Sequence, residues 1–320
     1  MAKKKGCLGC SLPVAIIIAV VVVGVVVVGM LAGPIGESFG ITWLPSWMGV
    51  HQPHPVLPAE HVFDVFGFPI TNTIVASWIT MAVLVILFIA AFSRSKLIPS
   101  RLQSILESLL GFVYNLTVGI AGEKDGRRFF PLVATIFLFV GFNAWLALVP
   151  GFGTITINTS EGTHELIRGA NTSLNTTLAL ALVTFCVTEF MGFKRLRLGY
   201  LKKFFVVGGM VGAFKKLFKG KVGQFFMEFV SGFISFFIGL IELLGEFIRI
   251  ISLSFRLFGN MTAGEILLLC IVYLLPFLVP IVFYGLEVLV GFIQALVFSA
   301  LTIVYISLAV ASHSPEEHGH

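Results

Sequence analysis

The chain has 320 residues, of which 57% are hydrophobic and only 12% are charged, and its mean hydropathy is +1.01. Soluble domains are about 45–50% apolar and about 25% charged. This composition excludes a water-soluble globule, a disordered chain and a disulfide-rich secreted module. The net charge of +5 gives no sign of a nucleic-acid-binding protein, because the basic residues are placed as in membrane loops. The sequence predicts an all-α, polytopic membrane protein.

The first predicted element is the apolar run 12–32, which follows three lysines at positions 3–5. About 20 apolar residues are enough to span a bilayer. The run has no obvious small-x-small cleavage site, so an uncleaved membrane anchor is favoured over a signal peptide. Cys7 and Cys10 form a CxxC without a second pair or a nearby histidine, which favours an inert or acylated pair over a metal site.

Four more apolar runs follow, at 74–92, 129–149, 174–191 and, almost unbroken, 225–311. The intervals 34–73 and 150–172 are predicted to be loops, the first of them interfacial because it carries Trp, His and Pro. The interval 93–128 is amphipathic at helical spacing and is predicted to lie in the membrane surface. Its apolar face comprises Leu102, Ile105, Leu106, Leu109, Phe112, Val113 and Leu116, and its polar face Arg101, Gln103, Ser104, Glu107 and Asn115.

The basic residues predict the orientation of these runs. If the N-terminus is cytoplasmic and the runs alternate, the inner segments are 1–11, 93–128, 193–224 and the tail after 311. All but three of the 21 basic residues then lie inside, the exceptions being Arg168, Arg249 and Arg256. This satisfies the positive-inside rule. No Arg- and Ser-rich transit peptide is visible, which favours a bacterial plasma membrane.

Five polar residues in the last apolar stretch share one helical face: Glu242, Glu246, Arg249, Arg256 and Asn260. Glu246 and Arg249, three residues apart, are predicted to neutralise each other. Arg256 has no acidic residue three or four positions away. An arginine at membrane depth costs at least about 2.5–3.5 kcal/mol on insertion scales, so we expect Arg256 to have a partner on another helix or another chain.

More polar residues follow at membrane depth. Glu265 comes nine residues after Arg256, at the margin of that face, and Glu287 and Gln294 share one face of the next predicted helix. Carboxylates can take up and release protons, whereas arginine keeps its charge. Glu242, Glu265 and Glu287 are therefore relay candidates, and Arg256 is an electrostatic barrier. This arrangement is typical of a proton or cation path.

Three stretches resemble the a subunit of the membrane (Fo) sector of F-type ATP synthase. The most specific is Ser-Leu-Ser-Phe-Arg-Leu-Phe-Gly-Asn-Met-Thr-Ala-Gly-Glu at 252–265. The others are Asn-Thr-Thr-Leu-Ala-Leu-Ala from 175 and the helix that begins near Ile293. The resemblance covers roughly 60–311 and leaves the run 12–32 outside. It implies a membrane stator whose last two helices are long, steeply tilted and paired as a hairpin.

The resemblance also implies functional residues, which are Arg256, Glu265, Glu287, Gln294, Asn260 and Glu242. Arg256 matches the arginine that faces the carboxylate of a rotating c subunit, and Asn260 and Gln294 match polar residues near it. Glu265 and Glu287 match the outer half-channel, and Glu242 matches the opposite one. The family often has a histidine or a small residue at one of the two outer positions, whereas here both are Glu, and two nearby carboxylates would tend to share a proton. Many members also carry an Asp where this chain has Ser173.

The implied partners are the c-subunit ring, the b-subunit peripheral stalk, other ATP synthase subunits and membrane lipid, with no nucleic acid and no cofactor or metal. The expected organisation is an N-terminal membrane anchor (1–33), an external loop (34–73), an ATP synthase a-subunit membrane domain (74–311) and a cytoplasmic tail (312–320). No P-loop, GxSxG or HExxH motif is present, so the chain is expected to be non-catalytic by itself. Whether the ion is a proton or sodium is left open.

Two other classes of protein compete with this interpretation. A proton- or sodium-coupled secondary transporter would often show inverted repeats, and no internal repeat is evident. An intramembrane enzyme would need a nucleophile–base pair or metal ligands at membrane depth, whereas the seven histidines all fall in predicted loops or the tail.

Overall fold

The computed structural model describes residues 12–40, 58–93, 99–149, 155–159, 162–196 and 222–311. In chain order its helices are α1 (Leu12–Ala32), α2 (Pro34–Ser38), α3 (Asn72–Phe92), α4 (Arg101–Ala147), α5 (Leu174–Leu196), α6 (Val222–Leu274) and α7 (Val279–Ala311). The described residues also form two small antiparallel hairpins, β1 (His61–Val65) with β2 (Phe68–Thr71) and β3 (Thr156–Thr159) with β4 (Gly162–Glu165), and a 3-10 turn at Ala170–Thr172. The prediction of an all-α, polytopic membrane protein is confirmed.

Among the described residues, five helices are long and apolar enough to cross a membrane: α1, α3, α4, α5 and α7. Helix α6 is the longest at 53 residues, and it carries the charged residues that the sequence places at membrane depth. Helix α3 starts at Asn72, two residues before the predicted run, and the 197–221 segment and the 312–320 tail lie outside the described residues.

Helix α4 is two helices that fold back on each other at Gly122. Gly122 has φ 78° and ψ 170°, a conformation that glycine adopts easily and residues with a Cβ do not. The ring of Tyr114 meets Phe130 edge-on at 5.3 Å, and Arg127 Nε donates to the Tyr114 hydroxyl at 3.2 Å. Residues before and after the glycine therefore run antiparallel, so the amphipathic segment packs on the apolar segment that follows it.

The amphipathic half of α4 is buried along a face that differs from the predicted one. Leu106 and Val113 are buried, but Ile105 is 68% exposed. Gln103 was assigned to the polar face, and that assignment is wrong. Gln103 is buried, and its amide Nε2 donates to the Glu107 carboxylate at 2.8 Å, which satisfies this polar group within the helix.

Helices α6 and α7 run antiparallel and contact each other between Arg249 and Gly264 of α6. Arg249 lies over the ring of Tyr305 at 5.0 Å, Asn260 hydrogen-bonds to Gln294, and Gly264 lies against Glu287. As the residue numbers rise on α6 they fall on α7. Helix α7 also packs on α4, where Trp145 Nε1 donates to the carbonyl of Val288 at 3.1 Å.

The centre of the fold is an apolar core shared by α4, α5, α6 and α7. Its fully buried members include Val133, Val140, Leu257, Phe298, Ile303 and Ile306. Helix α1 stands apart from this core. Its valine-rich surface is mostly exposed, and its C-terminal end rests on the α6–α7 connection, where Gly29 and Gly33 lie against Phe277 and Leu274.

Candidate functional site

Arg256 lies on the outer surface of α6 and not in the interior. The side chain is exposed, as are its neighbours Ile251 and Phe255. Among the described residues, its recorded contact is a long one, from Nη2 to the Ser252 hydroxyl at 3.5 Å. Of the two expected kinds of partner, the described residues supply no acidic group from another helix, and a partner on another chain stays a prediction. The polar seam of α6, formed by Glu242, Glu246, Arg249, Arg256 and Asn260, runs along the edge of the buried face of this helix. Arg256 lies on the exposed side of that edge.

One turn further along α6, Asn260 connects the seam to α7. Its amide Nδ2 donates to Gln294 Oε1 at 2.7 Å. Gln294 is buried, and within the described residues its own Nε2 finds no acceptor. The structure therefore brings Asn260 and Gln294 together beside Arg256, and it leaves a buried amide donor at this point.

Glu265 forms an ion pair that sequence analysis missed. Arg168 Nη2 lies 2.8 Å from Glu265 Oε2, and Arg168 Nε lies 3.0 and 3.2 Å from the two carboxylate oxygens. The Arg168 side chain is only 6% exposed, against 29% for Glu265. A two-pronged contact of this kind is the strong form of an arginine–carboxylate interaction.

Glu287 lies on α7 in the same region as Glu265. It is buried, and its carboxylate lies directly against Gly264, where a side chain on α6 would collide with it. Both glutamates line a cavity of about 310 Å³, together with Glu165, Arg168, Asn143, Asn171, Thr172 and Tyr284. Asn143 Nδ2 and Asn171 Oδ1 have no hydrogen-bond partner in the described part of the chain. The cavity therefore offers carboxylates and spare amide groups together, as a proton path requires.

Glu165 is held at this cavity by its own backbone. Its N–H donates to the Glu60 carboxylate at 2.8 Å, and its carbonyl accepts from Asn72 Nδ2 at 3.3 Å. Burial raises the pKa of the Glu165 carboxyl above its ordinary 4.5, and the negative charges of Glu265 and Glu60 raise it further, while Arg168 opposes them. The cavity thus holds a third carboxyl group, which binds its proton more firmly than an exposed Glu would.

A second polar cluster lies on the other side of Arg256. Arg249 Nη1 donates to both carboxylate oxygens of Glu246 at 2.8 Å, so the predicted internal pair is present. Tyr305 covers the guanidinium, and Thr184 and Thr188 line the small pocket beside it. Glu242 is half-buried one turn before Glu246.

Further in the same direction, the fold-back of α4 approaches the end of α5. Arg195 Nη1 donates to Asp125 at 3.0 Å, and with Arg128 and Lys194 they line a cavity of about 340 Å³. The basic residues here are among those that the positive-inside rule assigns to the cytoplasm.

Arg256 therefore lies between two polar clusters that are carried by one helix. Seven residues separate it from Arg249 and nine from Glu265, which at a rise of 1.5 Å per residue is about 10 Å and about 13 Å. The sequence pointed to the members of this series on α6 and α7. It missed Arg168, Glu165, Asn143 and Asn171, because these reach the site through contacts between distant parts of the chain. The one available signal was Arg168 itself, a lone basic residue in an otherwise non-basic external loop.

Comparison with known proteins agrees with this arrangement. The family model described as ATP synthase A chain matches residues 74–307. The chain belongs to this family. The resemblance seen in the sequence is thereby confirmed, and the chain is a multi-pass bacterial membrane protein that works within an ATP synthase complex.

Individual relatives show the extent of the similarity. The chain is 35% identical over 249 residues to ATP synthase subunit a of Citrifermentans bemidjiense, covering 78% of this chain and 89% of the relative. It is 34% identical over 230 residues to ATP synthase subunit a of a Sulfurihydrogenibium species, covering 72% and 92%. Helix α1 and the segment up to β2 lie outside the match to the family model.

Proposed function

We propose that the chain is the proton-conducting stator subunit of a rotary F-type ATP synthase, with two half-channels that pass protons to and from a carboxylate on the c-subunit ring. The observation that carries the proposal is the placement of Arg256. It is an exposed cation on the apolar outer face of α6, and it stands between two separate polar clusters. Because arginine cannot lose its proton, a charge on that face needs an anionic partner from another chain.

The outer half-channel in this proposal is the cavity around Glu165, Glu265 and Glu287. A proton enters from outside, passes these carboxyl groups and neutralises the ring carboxylate, which can then rotate into lipid. Asn260 and Gln294 lie between the cavity and Arg256, where their amides can hold the hydrogen-bonded path open towards the ring.

Arg256 acts after the ring has turned. Its fixed charge attracts the returning carboxylate in the ionised form, and so promotes release of the proton towards the second cluster and Glu242. The same charge opposes direct passage of a proton from one half-channel to the other. The guanidinium itself takes up and releases nothing, so the chain does no chemistry and is non-catalytic by itself.

The proposed organisation follows from this role. The segment 1–33 anchors the chain, 34–73 is an external loop, 74–311 is the a-subunit membrane domain, and 312–320 is cytoplasmic, with the N-terminus also in the cytoplasm of a bacterial plasma membrane. The partners are the c ring, the b-subunit peripheral stalk, the other ATP synthase subunits and lipid. No cofactor or nucleic acid takes part. The α6–α7 pair is steeply tilted along the ring.

The test is a set of Arg256 variants in the assembled complex, measured as ATP-driven proton pumping into inverted vesicles with a pH-sensitive dye. Arg256→Ala should abolish pumping. Arg256→Lys should be severely impaired, because lysine loses the planar fork and can lose its proton when desolvated. The level of the subunit should change little, because Arg256 is exposed and its nearest polar contact is long.

The matched control is Arg127→Ala, which also removes an exposed arginine, but one at the fold-back of α4 with its own partner Glu123. That variant should pump at close to the parental rate. Near-parental coupled pumping by Arg256→Ala would remove the main support for the stator proposal. With the alanine, passive proton leak should rise, since the barrier between the half-channels is gone.

A further inference from the structure

The ion pair between Arg168 and Glu265 distinguishes Glu265 from Glu287, although both carboxyl groups line the same cavity. Glu265 is engaged through both oxygens by a guanidinium. Glu287 faces the same cavity, and in the described part of the chain it has neither an ion pair nor a hydrogen bond. The charge of Glu265 is thus balanced within the chain, whereas no cation is paired with the buried Glu287 carboxyl among the described residues.

Arg168 lies beside the cavity on a stretch of backbone that is fixed by hydrogen bonds. The next residues are tied to α4, since Ala170 N–H donates to Asn143 Oδ1 and Asn171 Nδ2 donates to the Val140 carbonyl, each at 3.0 Å. Gly169 lies so close to Ala147 that an added Cβ would stand 2.9 Å from its methyl group. The backbone at Arg168 is therefore held beside the cavity, and its guanidinium reaches Glu265 from this fixed position.

We propose that Arg168 is a positioning residue of the outer half-channel, which holds Glu265 as a permanent anion so that the travelling proton is carried by Glu287 and not by Glu265. This inference rests on the proposed function and makes it more specific. Two free carboxyl groups would compete for one proton. With Arg168 present, the charge of Glu265 is balanced by the guanidinium. Glu165, which lines the same cavity, then supplies the proton to Glu287.

The inference predicts a rescue that a purely structural role would not produce. Glu265→Gln should slow ATP-driven pumping by about tenfold or more, because it leaves the Arg168 cation unbalanced a few ångströms from the path, where it repels the proton. Arg168→Gln combined with Glu265→Gln removes both charges, and should recover pumping to within about threefold of the parent. If Glu265 itself relays the proton, the double variant will be as slow as Glu265→Gln, and the inference is overturned.

Glu287→Gln separates this inference from the proposed function. It should stop pumping, and adding Arg168→Gln should not restore it. If Glu287→Gln pumps at the parental rate, the proposed outer half-channel itself is wrong. If Glu287→Gln stops pumping but the Arg168/Glu265 double variant gives no rescue, only the role of Arg168 is wrong.

A conservative variant covers the case in which the double variant does not accumulate in membranes. Arg168→Lys keeps the cation beside Glu265, and should pump faster than Arg168→Gln, which leaves two unbalanced carboxylates around one proton. Equal rates for the two variants, at equal subunit levels on immunoblots, would overturn the inference.

Discussion

Gly264 allows a direct test of how closely the Glu287 carboxylate must be positioned. A methyl group at 264 would overlap the carboxyl carbon and both oxygens of Glu287, and ordinary contact begins only at about 3.4 Å. In Gly264→Ala the carboxylate must therefore retreat by roughly 1 Å or more to reach ordinary van der Waals separation.

The effect on stability should be small, because two contributions oppose each other. Replacing a glycine inside a helix by alanine stabilises it by about 1 kcal/mol, while forcing a side chain off its preferred rotamer costs about 0.5–1.5 kcal/mol. The effect on proton transfer should be large, since a displacement of about 1 Å at a reacting group can cost up to about a hundredfold in rate. We expect pumping to fall at least tenfold while the amount of subunit in the membrane stays near the parental level.

Gly285→Ala is the matched control for this measurement. Gly285 lies on α7 two residues before Glu287, and nothing lies within 4 Å of the position of its Cβ. The Gly285→Ala variant gains the same helix propensity, and its added methyl group does not contact the Glu287 carboxylate. Pumping should therefore be unchanged. If Gly264→Ala and Gly285→Ala pump at the same rate, the position of Glu287 against α6 does not matter for proton transfer.

Two further predictions concern the protonation of Glu165 and the orientation of the chain in the membrane. Because the pKa of Glu165 is raised above its ordinary 4.5, the folded state binds a proton that the unfolded state has already lost, so stability should fall as pH rises from 4.5 through the raised pKa. Thermal unfolding at several pH values should show this decline, and Glu165→Gln should flatten it; equal slopes would contradict the burial of this carboxyl. For the topology, after the native cysteines are replaced, Phe66→Cys should react with an impermeant reagent from outside, and Lys124→Cys only from the cytoplasm. Both side chains are exposed, and labelling of both from one side would refute the predicted alternation.

The sequence located most of the long helices because each is an apolar run bounded by charged or turn-forming residues. The predicted run 74–92 became α3 (72–92), and 174–191 became most of α5. The sequence could not show that α4 doubles back, since the glycine at 122 looks like any other glycine in a helical pattern. The backbone angle of Gly122 accompanies the packing of Tyr114 against Phe130, a tertiary contact that no local pattern displays.

The same limit explains which site residues were found. Asn260 and Gln294 are 34 residues apart, and Glu265 and Arg168 are 97 residues apart. Helical periodicity predicts neighbours within one helix, as it did for Glu246 and Arg249, but no spacing rule joins a loop arginine to a carboxylate on α6. The outward direction of Arg256 lies beyond such rules for a related reason: periodicity places a residue on a face, but only the packed neighbours decide whether that face is buried.

Some charged groups of the described chain have an oppositely charged partner, and others do not. Arg168 with Glu265 and Arg249 with Glu246 are paired inside the chain. Glu287 and Arg256 have no oppositely charged neighbour within the described residues. A buried carboxyl can become neutral by binding a proton, so Glu287 needs no partner and is suited to carry one. Arg256 has no such option, and an unpaired arginine facing hydrocarbon is costly. In the proposed function an anion on the c-subunit ring meets it, because a ring carboxylate loses its proton as it arrives and gains one before it departs.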